Sequence, residues 1–399
     1  MNIFVINSGS SSIKYQLFKM PGQLPVCSGL VERIGMEDAQ ISHKIFIEGK
    51  EKQLLETGSI ASHEAGLLKV VQLLTTGADA VIKDSNEIDV VGHRVVHGGE
   101  AFKATTIIDT AIKEKIKELF LLAPLHNPAN YIGIEVSEKI FSRATQVAVF
   151  DTAFHQSMPP HAFRYAIPKK FHTEHRIRAY GFHGTSHKYV IRQATVYLNK
   201  PEAKLISIHL GNGCSMAAVE AEKSLDTSMG LGPLSGLVMG TRAGDIDASV
   251  IFHLVNKLGY TAAEVNDLLN KQSGMLGLTG LSDMRDINKA AATGNEDAIM
   301  ATAIYTYRIK KYIGAYAAIL NGLDALVFTG GVGENAANIR EQVCSKLQYL
   351  GINIDPQKNL QATGPLREIN SSSSPVKILV IATNEELEIA RQCYELMKT

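Results

Sequence analysis

The sequence lacks a net charge of either sign, with 40 Lys+Arg against 40 Asp+Glu. Such a balance argues against tight, sequence-independent binding to a polyanion, and so against a nucleic-acid partner. It also lacks a membrane-spanning run. Its most apolar later stretch, 313–328, is broken by Asn321, Gly322 and Asp324. No basic region precedes the first apolar run, which stops at Asn7, so no secretory signal is expected. Cysteine is sparse. Cys27, Cys214, Cys344 and Cys393 are scattered without a CxxC pair, which excludes a disulfide framework or zinc knuckle and points to a reducing cytoplasm. Two nucleotide signatures are missing too. There is no G-x-x-x-x-G-K-[ST] run, and no G-x-G-x-x-G follows a strand, so Walker-type and dinucleotide-binding folds are disfavoured.

What remains is ordinary for a globular enzyme: 45% hydrophobic and 20% charged residues over 399 positions, enough for two or three domains. The chain opens with an apolar run at 3–6, a small polar turn (Asn7-Ser8-Gly9-Ser10-Ser11-Ser12) and a second apolar run at 13–18. This reads as strand, turn, strand. The design returns at 205–219 around His209-Leu210-Gly211-Asn212-Gly213-Cys214-Ser215. Aligning Gly9 with Asn212 also aligns Ser12 with Ser215, both 203 residues apart. The repeat reads either as a duplicated unit or as two unrelated hairpins. A third glycine cluster, Thr329-Gly330-Gly331-Val332-Gly333-Glu334-Asn335, follows a strand-like run at 325–328 and precedes helix-like spacing at Ile339, Val343 and Leu347. Helix-like segments also fit 111–122, 295–320 and 385–397, the last opening with the capping-box pattern Thr383-Asn384-Glu385-Glu386. Strands alternating with helices predict an α/β chain.

Small glycine- and serine-rich turns can bring backbone N–H groups and hydroxyls to phosphate, and Lys14 lies just beyond the first of them. Arg94, after the strand-like run 88–91, is either a fork for a carboxylate or phosphate, or a surface arginine. Asp151 follows the run 146–150 and is either a cleft carboxylate or a helix cap. His183, between glycines, is either approachable or structural, and Arg242, among glycines, is either a phosphoryl-site or a surface residue. Glu385 also suits the first turn of a helix. His93/His97 and His183/His187 share H-x-x-x-H spacing, but neither pair is an H-E-x-x-H and no cysteine ligands accompany them, so zinc is not expected.

Taken in order, these segments resemble the acetate kinase family of acyl-phosphate-forming kinases, which belongs with the actin-like ATPases. The matching runs are 7–14, 93–100, 123–130, 149–155, 180–187, 209–213, 226–247, 328–335 and 383–386. The resemblance implies two actin-like (ribonuclease H-like) α/β lobes with a nucleotide cleft between them. The first would be 1–150, completed by the helix 385–399, and the second 151–384. It implies reversible phosphoryl transfer from ATP to acetate with Mg²⁺, Mn²⁺ as a substitute, and a cytoplasmic homodimer without membrane attachment. Asn7 and Glu385 resemble the metal-site residues, Lys14 an ATP-site position, and Arg94 the carboxylate binder. Asp151, His183 and Arg242 match the catalytic positions. His209, Leu210, Gly211, Asn212 and Gly213, then Asp283, Met284 and Arg285, then Gly331, Val332, Gly333, Glu334 and Asn335 resemble the ATP-binding segments. Val96, Leu125, Phe182 and Pro233 resemble the pocket for the acyl methyl group. The chain departs from the family at Gly232, Ser235 and Ala243, where Thr, Glu and Ser are usual, and its run 280–285 is one residue shorter than the usual G-x-S-S-D-x-R. Rival expectations are a propionate or other short-chain acyl kinase, a sugar or polyol kinase on the same lobes, and an actin-like or chaperone-type ATPase.

Overall fold

A computed structural model describes every residue except Glu48, Gly49, Leu125, Ala362 and Thr399, and only the backbone of Ile47. The chain divides into two compact units. The first is Met1–Ala153 together with the segment from Asn384 onward, and the second is Phe154–Thr383. The division expected from the resemblance, at 150/151 and 384/385, shifts to 153/154 and 383/384. Backbone and side-chain bonds explain the shift at the first boundary. The Asp151 amide donates to Val95 O at 3.0 Å, and Thr152 Oγ1 accepts the Gly98 amide at 2.9 Å.

The first unit's strands are β1 (Asn2–Ser8), β2 (Ser12–Lys19), β3 (Pro25–Glu32), β4 (Ala39–Ile47), β5 (Lys50–Gly58), β6 (Val90–Val95), β7 (Thr106–Ile107) and β8 (Thr145–Phe150). Among the described residues they form one sheet in the order β5-β4-β3-β2-β1-β6-β8-β7. The second unit's are β9 (Lys204–Leu210), β10 (Cys214–Glu220), β11 (Lys223–Thr227), β12 (Ala325–Thr329), β13 (Leu366–Glu368) and β14 (Lys377–Ile381), ordered β11-β10-β9-β12-β14-β13.

The two sheets repeat one plan. In each, the first strand pairs antiparallel with the second and parallel with the strand on its other side. A third strand extends the meander, a fifth runs parallel, and a short antiparallel strand closes the edge. Among the described residues, β4 and β5 alone have no counterpart. This is a duplicated α/β unit, the two-lobed actin-like fold that the resemblance implied. The single offset of 203 does not survive. The first ladder ends at Ser8↔Ile13 and the second at Leu210↔Cys214, so the second turn is one residue shorter.

Central strands read as unbroken apolar runs because helices cover both faces. Ile3, Phe4, Val5 and Ile6 are all buried, as are Ala325, Leu326, Val327 and Phe328. On one face of the first sheet, the helix Glu385–Leu396 approaches so closely that a Cβ on Gly92 would lie 2.8 Å from Cys393 Sγ and 2.9 Å from Ile389 Cγ2. The helix Asn127–Ile140 also lies against β1 and β6.

Several expected boundaries move. The strand expected at 88–91 runs Val90–Val95, because parallel pairing to β1 and β8 continues past it, so Arg94 stands inside a strand. The helix expected at 111–122 is Thr110–Glu118, tightening into a 3₁₀ turn at Leu119–Leu121. The glycine cluster is itself a short helix, Gly330–Asn335, followed by Ala337–Cys344, and Leu347 is buried beyond the helix end. The last helix is capped by Asn384, whose side chain accepts the Leu387 amide at 3.0 Å. The Thr383 hydroxyl instead meets Ser186 Oγ at 2.9 Å.

Candidate active site

The first unit gathers charge at the ends of β1, β6 and β8. Asn7 on β1 pairs across the hairpin with Lys14 on β2. Arg94 donates from Nε (2.9 Å) and Nη2 (2.5 Å) to Asp151 Oδ2, and from Nη1 to Asn7 Oδ1 at 3.4 Å. Glu385 Oε2 lies 3.8 Å from Arg94 Nε, and Lys14 Nζ lies 2.6 Å from Glu386 Oε1. Asp151 is only 1% exposed. Burial alone would lower the Arg94 pKa, but Asp151 and then Glu385 outweigh it and hold the guanidinium above its usual range. Burial raises the Glu385 pKa. Arg94 opposes this, while Asp151 and Glu386 add to it. Three carboxylates thus share two cations, leaving excess negative charge at the helix start.

The same unit holds Val96, which is buried. Its amide donates to Asn130 Oδ1 at 3.1 Å, and Asn130 Nδ2 donates to Ser8 O at 2.8 Å. Asn127 brackets His97, accepting its amide at 3.0 Å and donating to its carbonyl at 2.9 Å. These two asparagines and Glu386 were missed in the sequence. The signal was present in the run 123–130, where the asparagines recur at i, i+3 on one helix face. Leu125, expected in the acyl pocket, lies outside the described residues.

The second unit holds the other expected groups. His183 caps the helix Gly184–Leu198 in the left-handed region, φ 56°. Histidine tolerates that region better than most residues. Its Nδ1 lies 2.9 Å from Ser215 Oγ, and its ring stacks on His209 with centroids 4.4 Å apart. Arg242 donates from Nη1 to Pro233 O at 3.2 Å. A Cβ on Gly213 would lie 3.3 Å from His183 Nε2 and 3.7 Å from Arg242 Nη1, so the imidazole and guanidinium converge on one glycine. Burial lowers the Arg242 pKa, with the Cys214 thiol opposing, and among the described residues no carboxylate pairs with it. Phe182 is buried next to His183, and its carbonyl accepts from His155 Nε2 at 3.1 Å. The two H-x-x-x-H pairs make different contacts, and His183 and His187 both meet Ser215 Oγ. His93 meets Gln146, His97 takes the Gly99 amide, and His187 joins Ser207 and Ser215.

A cavity of about 650 Å³ opens in this unit, within the range of small-ligand pockets. Of the expected ATP segments, Gly211, Asn212, Asp283, Met284, Arg285, Gly331, Val332 and Asn335 line it. Asp283 caps the helix Met284–Ala292, and Arg285 draws the Asp283 pKa down to about 2. His209, Leu210, Gly213, Gly333 and Glu334 are not in its lining. Glu334 Oε1 accepts the Gly330 and Thr383 amides and so fixes the loop from inside. Gly330 has φ +77°, and a Cβ there would meet Leu210 O at 2.7 Å, so the turn into this loop requires glycine. Buried Arg340 clamps the loop from behind, donating to Gly333 O and Glu334 O.

The chain matches the acetokinase family model over residues 2–391. It is 56% identical over 398 residues to an acetate kinase of Flavobacterium johnsoniae, covering the whole of both chains. A crystal structure of Porphyromonas gingivalis acetate kinase superposes with TM-score 0.93 at 41% identity, covering 99% of each chain. A propionate kinase from Francisella tularensis superposes with TM-score 0.91 at 45% identity, covering 98% of each. An arginine–carboxylate cluster in the first unit, and a histidine–arginine pair and a cavity in the second, thus accompany full-length similarity, and the chain belongs to the acetokinase family.

Proposed function

We propose that the protein transfers the γ-phosphoryl group of ATP to acetate in one reversible in-line step, giving acetyl phosphate and ADP. The observation that carries this reading is Arg242, a half-buried guanidinium with no carboxylate partner among the described residues, converging with His183 on Gly213. Such a pair suits the charge of a transferring phosphoryl group. Acetate has a pKa near that of Glu, about 4–5, and is ionised at neutral pH. Its attack needs no general base. Asp151, already accepting two N–H bonds from Arg94, acts by holding that guanidinium in place. Arg94 would aim the acetate carboxylate with its remaining N–H groups, beside Val96. Leu125, Phe182 and Pro233 are the other proposed pocket residues, with Lys14 and the three ATP segments binding nucleotide.

Family membership implies a divalent cation, and the residues fit one. Asn7 and Glu385 offer hard oxygen donors where carboxylates outnumber cations. Among the described residues no three His, Cys, Asp or Glu side chains form a metal cage. That fits Mg²⁺, or Mn²⁺ in its place, held by few protein ligands and completed by water and phosphate. When bound, the ion would neutralise phosphate charge.

Propionate is a slower substrate on this reading. One methylene costs about 1–3 kcal/mol in an apolar pocket, and Val96 narrows this one. A homodimer is proposed from the helix Ala248–Leu258, which buries none of its residues although Phe252 is 64% and Leu258 59% exposed. Four buried, unpaired cysteines fit a cytoplasmic setting.

The test traps acyl phosphate with hydroxylamine in the presence of Mg-ATP and, separately, acetate, propionate, butyrate and glycerol. Hydroxamate formed best from acetate with matching ADP is expected. ADP release with glycerol or without acceptor, and no hydroxamate, would replace this reading by a sugar-kinase or chaperone-type ATPase.

A further inference from the structure

Behind His183 lies a line of alternating serines and histidines that the reaction as described does not use. Ser215 Oγ sits between two imidazoles, 2.9 Å from His183 Nδ1 and 2.8 Å from His187 Nε2. His187 Nδ1 lies 2.8 Å from Ser207 Oγ. Ser207, His187 and Ser215 are completely buried. The serines stand on neighbouring strands β9 and β10, and His187 stands one helical turn beyond His183. Burial, with His155 and His209 adding to it, lowers the His187 pKa well below its usual value, so this imidazole is neutral.

A line of four groups with one mobile proton per link has two unbroken directions, since the remaining arrangement, with Ser215 accepting from both imidazoles, leaves the buried Ser215 O–H without an acceptor among the described residues. In one, Ser207 donates to His187 Nδ1, His187 Nε2–H donates to Ser215, and Ser215 donates to His183 Nδ1. In the other, every bond reverses, and the Ser207 hydroxyl proton must find another acceptor. Ser207 Oγ has no second partner among the described residues. An orphaned buried O–H costs about 1–3 kcal/mol, whereas a hydroxyl with spare lone pairs costs little. The first direction is therefore favoured.

We infer that Ser207, His187 and Ser215 are positioning residues that fix His183 as the Nε2–H tautomer, so that it presents an N–H donor on the side shared with Arg242. The line ends at Nε2, the atom 3.3 Å from the Gly213 Cβ position. The inference rests on the proposed function only in giving that donor a phosphoryl oxygen to meet. The tautomer itself does not depend on the substrate. The difference matters chemically, because the opposite tautomer would turn a lone pair toward an anion. A wrong tautomer costs a serine hydrolase about 10⁴-fold in turnover, and support through one neutral hydroxyl is worth less, about 10–100-fold.

The test is long-range ¹H–¹⁵N NMR on the full-length protein labelled at histidine, with the His183 signals assigned by their loss in His183→Gln. The wild type should show neutral His183 protonated at Nε2. Ser215→Ala should populate the Nδ1–H form and lower kcat about 10–100-fold, with KM for acetate within about 2-fold. Ser207→Ala, at the far end and touching no group near substrate, should shift the same tautomer signal and lower kcat about 3–10-fold. Nδ1–H His183 in the wild type would overturn the inference. So would unchanged His183 signals in Ser207→Ala. Wild-type protein without hydroxamate activity but with Nε2–H His183 would refute the function and leave the tautomer assignment standing.

Discussion

Each unit holds one arginine in its own cluster of candidate residues, and the two live in opposite surroundings. Arg94 is bound by Asp151 on two N–H groups, with Glu385 nearby, and its charge is locked in by its neighbours. Arg242 has a carbonyl and a histidine's company, and burial weakens its hold on its proton. A cation already satisfied by fixed acids can accept a weakly basic carboxylate without large rearrangement. A half-buried cation without an acid gains most when a highly charged anion arrives. On this contrast rests the proposal that Arg94 serves acetate binding and Arg242 the transferring phosphoryl group.

The contrast is broken most readily by truncating each arginine in turn. Arg242→Ala should lower kcat about 10²–10⁴-fold while leaving thermal stability unchanged or slightly raised, since no acid is orphaned. Steady-state hydroxamate assays and calorimetry would check both halves, and near-normal turnover would end the assignment. Arg94→Ala should raise KM for acetate about 10–100-fold, the worth of a charge-assisted hydrogen bond. Unlike the first variant it should also cost about 2–4 kcal/mol of stability, because buried Asp151 loses both of its bonds from the Arg94 guanidinium. Adding Asp151→Asn should recover part of that loss in denaturant titrations. A stable Arg94→Ala protein would show that the cluster is not held as described.

Smaller effects sharpen the same comparison. Gly92→Ala forces a Cβ against Cys393 and Ile389, so it should cost about 1–3 kcal/mol by overpacking. By shifting the helix that begins at Glu385, it should also raise the Mg²⁺ concentration needed for half-maximal rate, by up to about 10-fold. Unchanged Mg²⁺ dependence would separate that helix from the metal site. In the second unit, burial raises the Asp226 pKa to about 6, against smaller opposing effects of the Thr227 amide and His161. The unfolded value is about 3.9, so the folded chain holds this proton more tightly. The Asp226 contribution to stability is therefore fully present below pH ~4 and lost as pH rises to ~6. Asp226→Asn should abolish that slope and stabilise the protein by about 1–2 kcal/mol above pH 6, measured by urea titration across pH.

Much of this arrangement was legible in the sequence because it depends on local features. The two polar turns between apolar runs announced the paired hairpins, and alternation of strands and helices announced the α/β class. Glycine flanks marked His183 and Arg242. What the sequence hid was long-range pairing. The run 88–91 looked complete, yet β6 continues to Val95 because β1 and β8 supply partners, and this moved Arg94 from just beyond the strand-like run to within the strand. Nothing near Lys14 points to Glu386, which arrives from the far end of the chain. Asn127 and Asn130 act through backbone groups on other elements, a use that composition does not reveal. The Ser207–His187–Ser215 line was visible only as H-x-x-x-H spacing, whose meaning depends on two serines that strand register brings beside it.

The central claim is that an acetate oxygen attacks the γ-phosphorus. It is tested most directly by ³¹P NMR of the product formed from ¹⁸O-labelled acetate and unlabelled Mg-ATP. The account predicts acetyl phosphate whose phosphorus resonance carries the isotope shift of one directly bonded ¹⁸O, with none in ADP. An unshifted acyl phosphate signal, or ADP formed with no acyl phosphate, would contradict it.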